Sequence, residues 1–253
     1  MKDPIVIIGI GEIGSVFAKG FLRTGHPVYP VIRDMDFNQT INRMPEPELV
    51  LISVGESDLQ DVLKKIPEPW RSNVALIQNE LLPNDWQQQG YKNPTVASIW
   101  FEKKKGQDVK VVVPSPIFGP HAGLIKTALD ALEIPNEVLS NKEQLLFELV
   151  RKNYYILASN ICGLKTGGTV SELWNNHEDF VRETLQDIHT IQEHLAGQSL
   201  NSDSLLQAML VAFQGDPEHG CMGRSAPARL QRAISIAKEA KIPTPKLIEI
   251  SKT

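Results

Sequence analysis

The first half of the chain alternates short apolar runs with amphipathic stretches. The apolar runs are rich in β-branched residues and predict strands at Ile5–Ile8, Val28–Ile32, Leu49–Val54 and Val74–Gln78. Strands that alternate with helical stretches are typical of a parallel sheet covered by helices on both faces. The pattern therefore predicts an α/β fold with an N-terminal doubly wound sheet of the Rossmann type.

Further elements follow in the same half. Thr95–Glu102 and Asp108–Val113 predict a hairpin, with the run Lys103, Lys104, Lys105 capping its turn in solvent. Ser57 with Gln60 has the spacing of a capping box and predicts a helix start. A helix at Gly119–Leu132 and a short strand at Glu137–Leu139 complete this part of the pattern.

The period changes at Asn141, after which the apolar residues have helical spacing. Asn141 with Gln144 predicts a capped helix start. The predicted helices are Asn141–Leu164, Val170–Asn175, Asp179–Leu195, Ser202–Phe213 and Ala226–Ala240. We therefore predict a Rossmann dinucleotide-binding domain over residues 1–140 and an all-helical C-terminal domain over residues 141–253, for substrate binding or dimerisation.

The first strand runs directly into a glycine motif. Gly9, Gly11 and Gly14 have the spacing G-x-G-x-x-G, and a helix-compatible stretch follows from Glu12 to Leu22. In such a motif the first glycine permits the turn, the second admits a pyrophosphate, and the third lets helix and strand pack closely. The predicted cofactor-binding residues are Gly9, Gly11, Glu12, Ile13 and Gly14. The alternative is a structural turn that binds nothing.

Charge after the second strand bears on the choice of nucleotide. Arg33 lies where proteins that bind NADP favour arginine, whereas Asp34 would repel a 2′-phosphate if it pointed inward. We predict NADP (NADPH) in preference to NAD. The alternative for Arg33 is a solvated loop charge that pairs with Asp34 or Asp36.

Composition excludes several classes of partner. The net charge is −4 without a large basic block, which argues against nucleic acid. No apolar stretch approaches the roughly 20 residues needed to span a bilayer, so we expect no membrane partner and a cytoplasmic location. The two cysteines are expected to be free thiols. The six histidines lack the spacing of a metal site, and we predict no metal.

Taken together, these segments resemble the ketopantoate reductase (2-dehydropantoate 2-reductase) family over nearly the whole chain. The opening through Arg33, the strand that ends in Asn79, and the stretch Glu148–Lys152 with Asn160 eight residues later are similar to family segments. The C-terminal Ala237–Pro245 is similar to the family's last helix and its exit.

The resemblance implies an NADPH-dependent oxidoreductase that reduces a small 2-oxo acid or a related carbonyl. It implies that Lys152 is the catalytic lysine, which protonates or polarises the forming alkoxide. It further implies that Asn79 contacts cofactor and substrate and that Asn160 hydrogen-bonds the substrate. A cation aimed at a developing oxyanion is the side chain that this chemistry requires. A homodimer is a possible assembly.

The substrate half departs from the family pattern. Ile156 replaces an asparagine one turn after the lysine, and Ser225 lies near the position of an acidic residue. Glu80 replaces the glycine after Asn79. Arg224 or Arg229 could bind a substrate carboxylate, the alternative being a surface charge. These departures leave a second hypothesis, a non-catalytic NADP(H)-binding sensor or regulatory protein. A third is a sister fold of the 3-hydroxyacid dehydrogenase kind.

Overall fold

The computed structural model describes residues 2–252, which divide into two compact units with the boundary between Glu148 and Leu149. The first unit is an α/β structure with a mostly parallel sheet, and the second consists of helices. This arrangement confirms the fold class predicted from the apolar pattern.

The first unit is organised around a seven-stranded sheet in the order β2-β1-β3-β4-β5-β8-β9. Neighbouring strands are parallel except for β5 and β8, which are antiparallel. A separate antiparallel pair is formed by β6 and β7. The strands are β1 (Ile5–Ile8), β2 (Val28–Val31), β3 (Leu49–Ile52), β4 (Val74–Leu76), β5 (Thr95–Ala97), β6 (Phe101–Glu102), β7 (Lys110–Val111), β8 (Ser115–Phe118) and β9 (Asn136–Val138).

The central strands are apolar throughout because helices cover both of their faces. All four residues of β1 and all four of β3 are buried, as expected for the interior of a doubly wound sheet. The helices of this unit are α1 (Glu12–Arg23), α2 (Phe37–Arg43), α3 (Leu59–Lys65), α4 (Pro83–Gln87) and α5 (Ala122–Asp130).

Helices α1 and α5 cross closely at Gly20. A Cβ atom at Gly20 would lie 2.5 Å from the Ala128 carbonyl oxygen, so only glycine permits this approach. Phe17 and Phe21 of α1 are fully buried in the same core, and their burial anchors the helix that follows the glycine motif.

The predicted hairpin is present but shorter than the pattern indicated. Only β6 and β7 pair across the lysine–glycine turn, whereas β5 pairs with β8 inside the main sheet. Phe101 of β6 packs against Phe17, with ring centroids 6.2 Å apart. The hairpin therefore lies against α1 near the glycine motif.

The predicted capping box at Ser57 is wrong. The segment begins as a short 3₁₀ helix at Glu56–Asp58, and no side chain caps either this helix or α3. A tight 3₁₀ turn takes the place of a capped α-helical start, because i→i+3 bonds already satisfy the first amides there.

The second unit is built from long helices. They are α6 (Lys142–Thr166), which contains the unit boundary, α7 (Val170–Ala196), α8 (Ser202–Gly215), α9 (Ala226–Ala240) and α10 (Pro245–Ser251). The Asn141–Gln144 capping prediction is confirmed, since Asn141 Oδ1 accepts from Gln144 N at 2.8 Å. The two helices predicted between residues 170 and 195 form one helix with a kink at His177.

Side chains also fix the starts of α7 and α10. Thr169 and Glu172 form a capping box at the start of α7, and the Asp187 carboxylate of α7 accepts from the backbone amides of Lys246 and Leu247. The latter contacts hold α10 against α7. Within residues 2–252, no helix is long and apolar enough to cross a membrane.

Candidate functional site

The glycine motif forms the turn between β1 and α1, and its first glycine is required by conformation. Gly9 has φ +93°, and a Cβ there would lie 2.9 Å from the Ser53 carbonyl oxygen. Its amide donates to Val31 O at 2.9 Å. The turn is thus fixed by both neighbouring strands of β1.

The third glycine is required by packing. A Cβ at Gly14 would lie 2.2 Å from Gly9 O and 2.5 Å from Ser53 Oγ, a clash that no rearrangement of a side chain would relieve. The Ser53 hydroxyl donates to Gly9 O, so the turn, the end of β3 and the first turn of α1 are tied together. Close approach of helix and strand is the role expected of this glycine.

The second glycine is required by neither conformation nor packing. Gly11 has φ −78°, a value that any residue adopts, and a Cβ there would meet nothing within 4 Å. It is the N-cap of α1, and no side chain caps this helix start. The open backbone amides and the positive end of the helix dipole therefore suit an anion such as a diphosphate.

The two remaining residues of the motif differ in environment. Ile13 is half-buried and packs against the core of the first unit, so it anchors α1. The Glu12 carboxylate is in the first turn, where a bound diphosphate would be repelled by it. Lys103 of the hairpin lies 3.5 Å from this carboxylate and offsets its charge. The expectation that this lysine only caps a hairpin in solvent is therefore incomplete.

Arg33 follows β2 in an exposed turn. Its side chain is 85% exposed and pairs with the Asp58 carboxylate at 3.0 Å. Asp58 follows β3, and β1 lies between β2 and β3 in the sheet. The Arg33 guanidinium therefore extends past the end of β1 to reach Asp58. The partner is neither of the two aspartates considered from the sequence. Ile10 and Ile32 are exposed apolar side chains on the same edge.

Asn79 lies in an exposed turn after β4, at the same sheet edge as Gly9. The next residue, Glu80, has φ +56°, so it adopts the left-handed conformation usual for glycine without being glycine. Gln78 is buried, and its side-chain amide donates to Ile52 O at 2.7 Å. This bond ties the ends of β3 and β4 and positions the turn that holds Asn79.

In the second unit, Lys152 lies on α6 and is half-buried. Its ammonium is 5.8 Å from the centre of the Tyr155 ring. Burial, together with the smaller effects of the Arg229 and Arg151 guanidinium groups, lowers the pKa of Lys152 from 10.5 to about 7. A lysine with such a pKa can donate a proton near neutral pH.

Asn160 lies two turns further along α6 and is buried. Its side-chain oxygen accepts a hydrogen bond from Arg229 Nη1 at 2.8 Å, and its amide nitrogen lies 3.3 Å from Ser159 Oγ as a donor. Ser159 in turn donates to Tyr155 O at 2.7 Å. The amide of Asn160 is therefore held in one orientation.

Arg229 is in the first turns of α9 and is only 8% exposed. The alternative that it is a surface charge is therefore wrong, whereas Arg224 is exposed and fits that description. Ser225, near the position expected for an acidic residue, is the N-cap of α9. Arg229 is therefore a buried cation one turn after Ser225 in α9.

The structure therefore brings the predicted residues together in two groups. Gly9, Gly11 and Gly14 meet at one turn, and Asn160 is hydrogen-bonded to Arg229, whose charge lowers the pKa of Lys152. Sequence reasoning missed Ser53, whose signal was a small polar residue directly after an apolar strand.

The fold and the turn geometry define a Rossmann-type unit suited to a dinucleotide, followed by a helical unit. No family model matches the chain, and no curated protein matches it by sequence. Solved structures do match it over almost its full length.

The chain has the fold of the ketopantoate reductases. The enzyme from Ralstonia eutropha has a TM-score of 0.69 at 15% identity, with 98% of this chain and 96% of that chain covered. A dimeric ketopantoate reductase from Staphylococcus aureus has a TM-score of 0.60 at 19% identity, with 98% and 96% covered. D-mandelate dehydrogenase in complex with NADH and anilino(oxo)acetate has 0.67 at 13% identity, again with 98% and 96% covered.

Proposed function

We propose that this chain is an NADPH-dependent oxidoreductase of the ketopantoate reductase type, which reduces a small 2-oxo acid or related carbonyl to the hydroxy compound. The observation that supports it most is the position of Lys152, half-buried on α6 with its ammonium 5.8 Å from the centre of the Tyr155 ring, where its pKa is lowered to about 7. The similar structures include ketopantoate reductases and a D-mandelate dehydrogenase bound to NADH and a 2-oxo acid analogue, which agrees with this reaction class.

The residues of the glycine turn fit the diphosphate of a nicotinamide dinucleotide. Gly11 leaves room for its approach, and the uncapped start of α1 offers amide donors. Glu12 is compatible with the anion because Lys103 offsets its charge. When bound, the nicotinamide supplies the hydride that reduces the carbonyl carbon.

Arg33 supports NADP in preference to NAD. A guanidinium at the end of the second strand suits a 2′-phosphate, and two exposed isoleucines nearby, Ile10 and Ile32, offer an apolar surface for an adenine ring. The pairing with Asp58 means that the phosphate competes with a carboxylate for Arg33. We therefore propose a moderate preference for NADPH.

Lys152 acts as the acid in this proposal. Its protonated ammonium hydrogen-bonds the carbonyl oxygen of the substrate and transfers a proton from Nζ to the oxygen as the carbon accepts the hydride. The products are the hydroxy compound, a neutral lysine and the oxidised cofactor, so the charges balance. Solvent then returns the proton to Lys152.

Asn79 and Asn160 have supporting roles. Asn79, which is exposed at the sheet edge, is proposed to hydrogen-bond the cofactor and substrate. Asn160 is proposed to contribute to substrate binding in combination with Arg229, to which it is hydrogen-bonded. We propose that the partners are a small molecule and, in a homodimer, a second copy of the chain. We propose a cytoplasmic location, with neither a membrane nor nucleic acid as a partner.

The test is a titration followed by a screen. Calorimetry with NADPH and NADH should show binding of both, with NADPH tighter. A panel of small 2-oxo acids should then give consumption of NADPH, measured at 340 nm, a wavelength that reports its reduced ring. If neither NADPH nor NADH binds at millimolar concentration, the proposal is overturned.

A second candidate is a non-catalytic NADP(H)-binding sensor or regulatory protein. It is favoured by Ile156, a buried apolar residue one turn after Lys152 where the family has asparagine. In that case the coenzyme binds and protects the chain against thermal unfolding, while no carbonyl compound is reduced. Turnover with any 2-oxo acid contradicts this candidate.

A further inference from the structure

We infer that Lys103 binds the diphosphate of the nicotinamide dinucleotide directly, as a side-chain ligand that completes the backbone site of the glycine turn. The inference rests on the proposed function and deepens it, because it makes a residue of the β6–β7 hairpin part of the cofactor site. The Glu12 carboxylate is then the partner that Lys103 exchanges for the diphosphate.

The first support is the direction in which the hairpin presents Lys103. Phe101 of β6 packs against Phe17 of α1, with ring centroids 6.2 Å apart. Side chains two positions apart on an extended strand share a face, so Lys103, which directly follows β6, faces α1 as well. Its ammonium lies 3.5 Å from the carboxylate of Glu12, in the first turn of that helix. The hairpin therefore places a cation beside the turn where the diphosphate is proposed to bind.

The second support is that the hairpin is anchored. Val109 and Val111 pack against the hydrophobic core of the first unit. The turn is closed by a hydrogen bond from Gln107 N to Lys104 O at 3.0 Å, and the Lys103 ammonium donates to the same oxygen at 2.9 Å. The side chain of Lys103 is only 21% exposed. Lys103 is therefore held in place before any cofactor arrives, which reduces the entropy lost on binding.

The third support is the number of donors that Lys103 retains. A lysine ammonium has three N–H donors. Within residues 2–252, its one hydrogen bond is the bond to Lys104 O. The separation of 3.5 Å from Glu12 is an ion pair beyond the usual hydrogen-bond distance. Two donors therefore remain for the oxygens of a diphosphate.

The fourth support is that Glu12 can give up Lys103 at little cost. Its side chain is 45% exposed, and an ion pair that water screens contributes little net free energy. A diphosphate has more negative charge than one carboxylate, so it attracts the ammonium more strongly, and the carboxylate can turn to solvent. Without Lys103, Glu12 would face the diphosphate as an uncompensated like charge.

The experiment is a double-mutant cycle in which calorimetry measures the affinity for NADPH. Lys103→Met should weaken binding about 30-fold, and Glu12→Gln should strengthen it about threefold. The double variant should remain about tenfold weaker than Glu12→Gln, because a charge-assisted contact to the ligand is lost even where no carboxylate needs to be offset. If the double variant binds as tightly as Glu12→Gln, Lys103 only offsets Glu12 and the inference is overturned.

Lys105→Met is the matched control. Lys105 is an exposed lysine of the same turn, so its loss changes the net charge equally without removing the contact, and affinity should stay within about twofold of wild type. Lys103→Arg keeps the charge and should stay within about threefold. A loss in Lys105→Met equal to that in Lys103→Met would show a general effect of charge and would overturn the inference.

Two further ligands identify the group that Lys103 contacts. NADH has the diphosphate without the 2′-phosphate, and ADP-ribose has it without the nicotinamide. Lys103→Met should therefore weaken the binding of NADPH, NADH and ADP-ribose by the same factor, about 30-fold. A loss confined to NADPH would assign Lys103 to the 2′-phosphate and overturn the inference.

The binding measurements also separate this inference from the proposed function. Wild-type affinity in a folded Lys103→Met variant, or in Lys103→Gln where the methionine disturbs folding, overturns the inference and leaves the proposed reductase standing. The expected losses support the inference even if no 2-oxo acid is reduced, because binding is measured without turnover. A wild-type chain that binds none of the three ligands overturns both.

Discussion

The two units differ in which atoms perform their proposed chemistry. In the first unit, the backbone of residues 9–14 forms the proposed diphosphate site. The three glycines of this motif matter mainly because they have no side chain. In the second unit, three side chains, Lys152, Asn160 and Arg229, form the proposed site.

This difference affects how many substitutions each proposed site can tolerate. A backbone site tolerates few alternatives, because a Cβ at Gly9 or Gly14 would clash with main-chain oxygen atoms. A side-chain site can exchange one group for another that binds a different ligand. Arg229 is a buried cation close to the position where the resemblance implies an acid.

The largest effect is expected at Lys152. Lys152→Ala should lower kcat by roughly 10²–10⁴-fold, the usual contribution of a positioned acid, while the affinity for NADPH stays within about twofold. Steady-state kinetics and calorimetry provide the two measurements. Lys165→Ala is the control, since Lys165 is an exposed lysine at the end of the same helix. Wild-type turnover in the Lys152 variant would remove the catalytic assignment.

The next largest effects are expected at Gly14 and Gly11, where an alanine should affect stability and NADPH binding, respectively. Gly14→Ala should destabilise the chain by about 3 kcal/mol, because the added Cβ meets main-chain atoms. Gly11→Ala should cost less than about 1 kcal/mol in stability but weaken NADPH binding about tenfold, because its Cβ projects where the diphosphate would approach.

Chemical denaturation and calorimetry measure these two quantities for each variant. If Gly11→Ala binds NADPH as tightly as the wild type while remaining folded, the turn is structural and the diphosphate site lies elsewhere.

The pH profile tests Lys152 in a different way. Since its pKa is about 7, the protonated fraction and therefore kcat/KM should fall as pH rises above 7, by just under tenfold between pH 8 and 9. Arg229→Met removes a repelling cation and should move this bend to higher pH. A profile that is flat between pH 6 and 9 would contradict the role of Lys152 as the acid.

Stability should change with pH in the opposite sense. The unfolded chain has Lys152 with its ordinary pKa of 10.5, so between about 7 and 10.5 the unfolded state binds more protons at this group. This group therefore makes the folded state more stable as pH rises through that window. The Lys152→Met variant has no titrating group at this position. It should therefore be more stable than wild type in urea unfolding at pH 6.5, and this difference should be smaller at pH 9.

The smallest effect is expected at the exposed ion pair of the first unit. Arg33→Ala should reduce the preference for NADPH over NADH a few-fold, while Asp58→Asn should increase it a few-fold by removing the competing carboxylate. Titration of both coenzymes gives the ratio. An Arg33 variant with an unchanged ratio would exclude Arg33 from 2′-phosphate recognition.

The sequence was sufficient for the fold because its signals are local. The β-branched run at Ile5–Ile8, the glycine spacing and the Asn141–Gln144 cap each specify a backbone conformation within a few residues. The division of the long strand predicted at residues 95–102 could not be foreseen, because the partner of β5 is β8, which lies beyond the hairpin. Its pairing depends on contacts distant in sequence.

The contacts of the candidate-site residues could not be predicted from the sequence. Nothing near Arg33 in sequence indicates Asp58 as its partner, and nothing near Asn160 indicates Arg229, since each pair joins different elements. The burial of Arg229 likewise depends on how α9 packs within its unit. A charged residue on a helix has no local signature of burial.

The unequal demands on the three glycines have an evolutionary consequence. Positions 9 and 14 would stay glycine in any descendant that keeps this strand–helix junction, whether or not it still uses a nucleotide, because the junction itself excludes a methyl group there. Position 11 is under no such mechanical constraint. Under the proposed function, substitution at that single position is expected in descendants that no longer bind a dinucleotide.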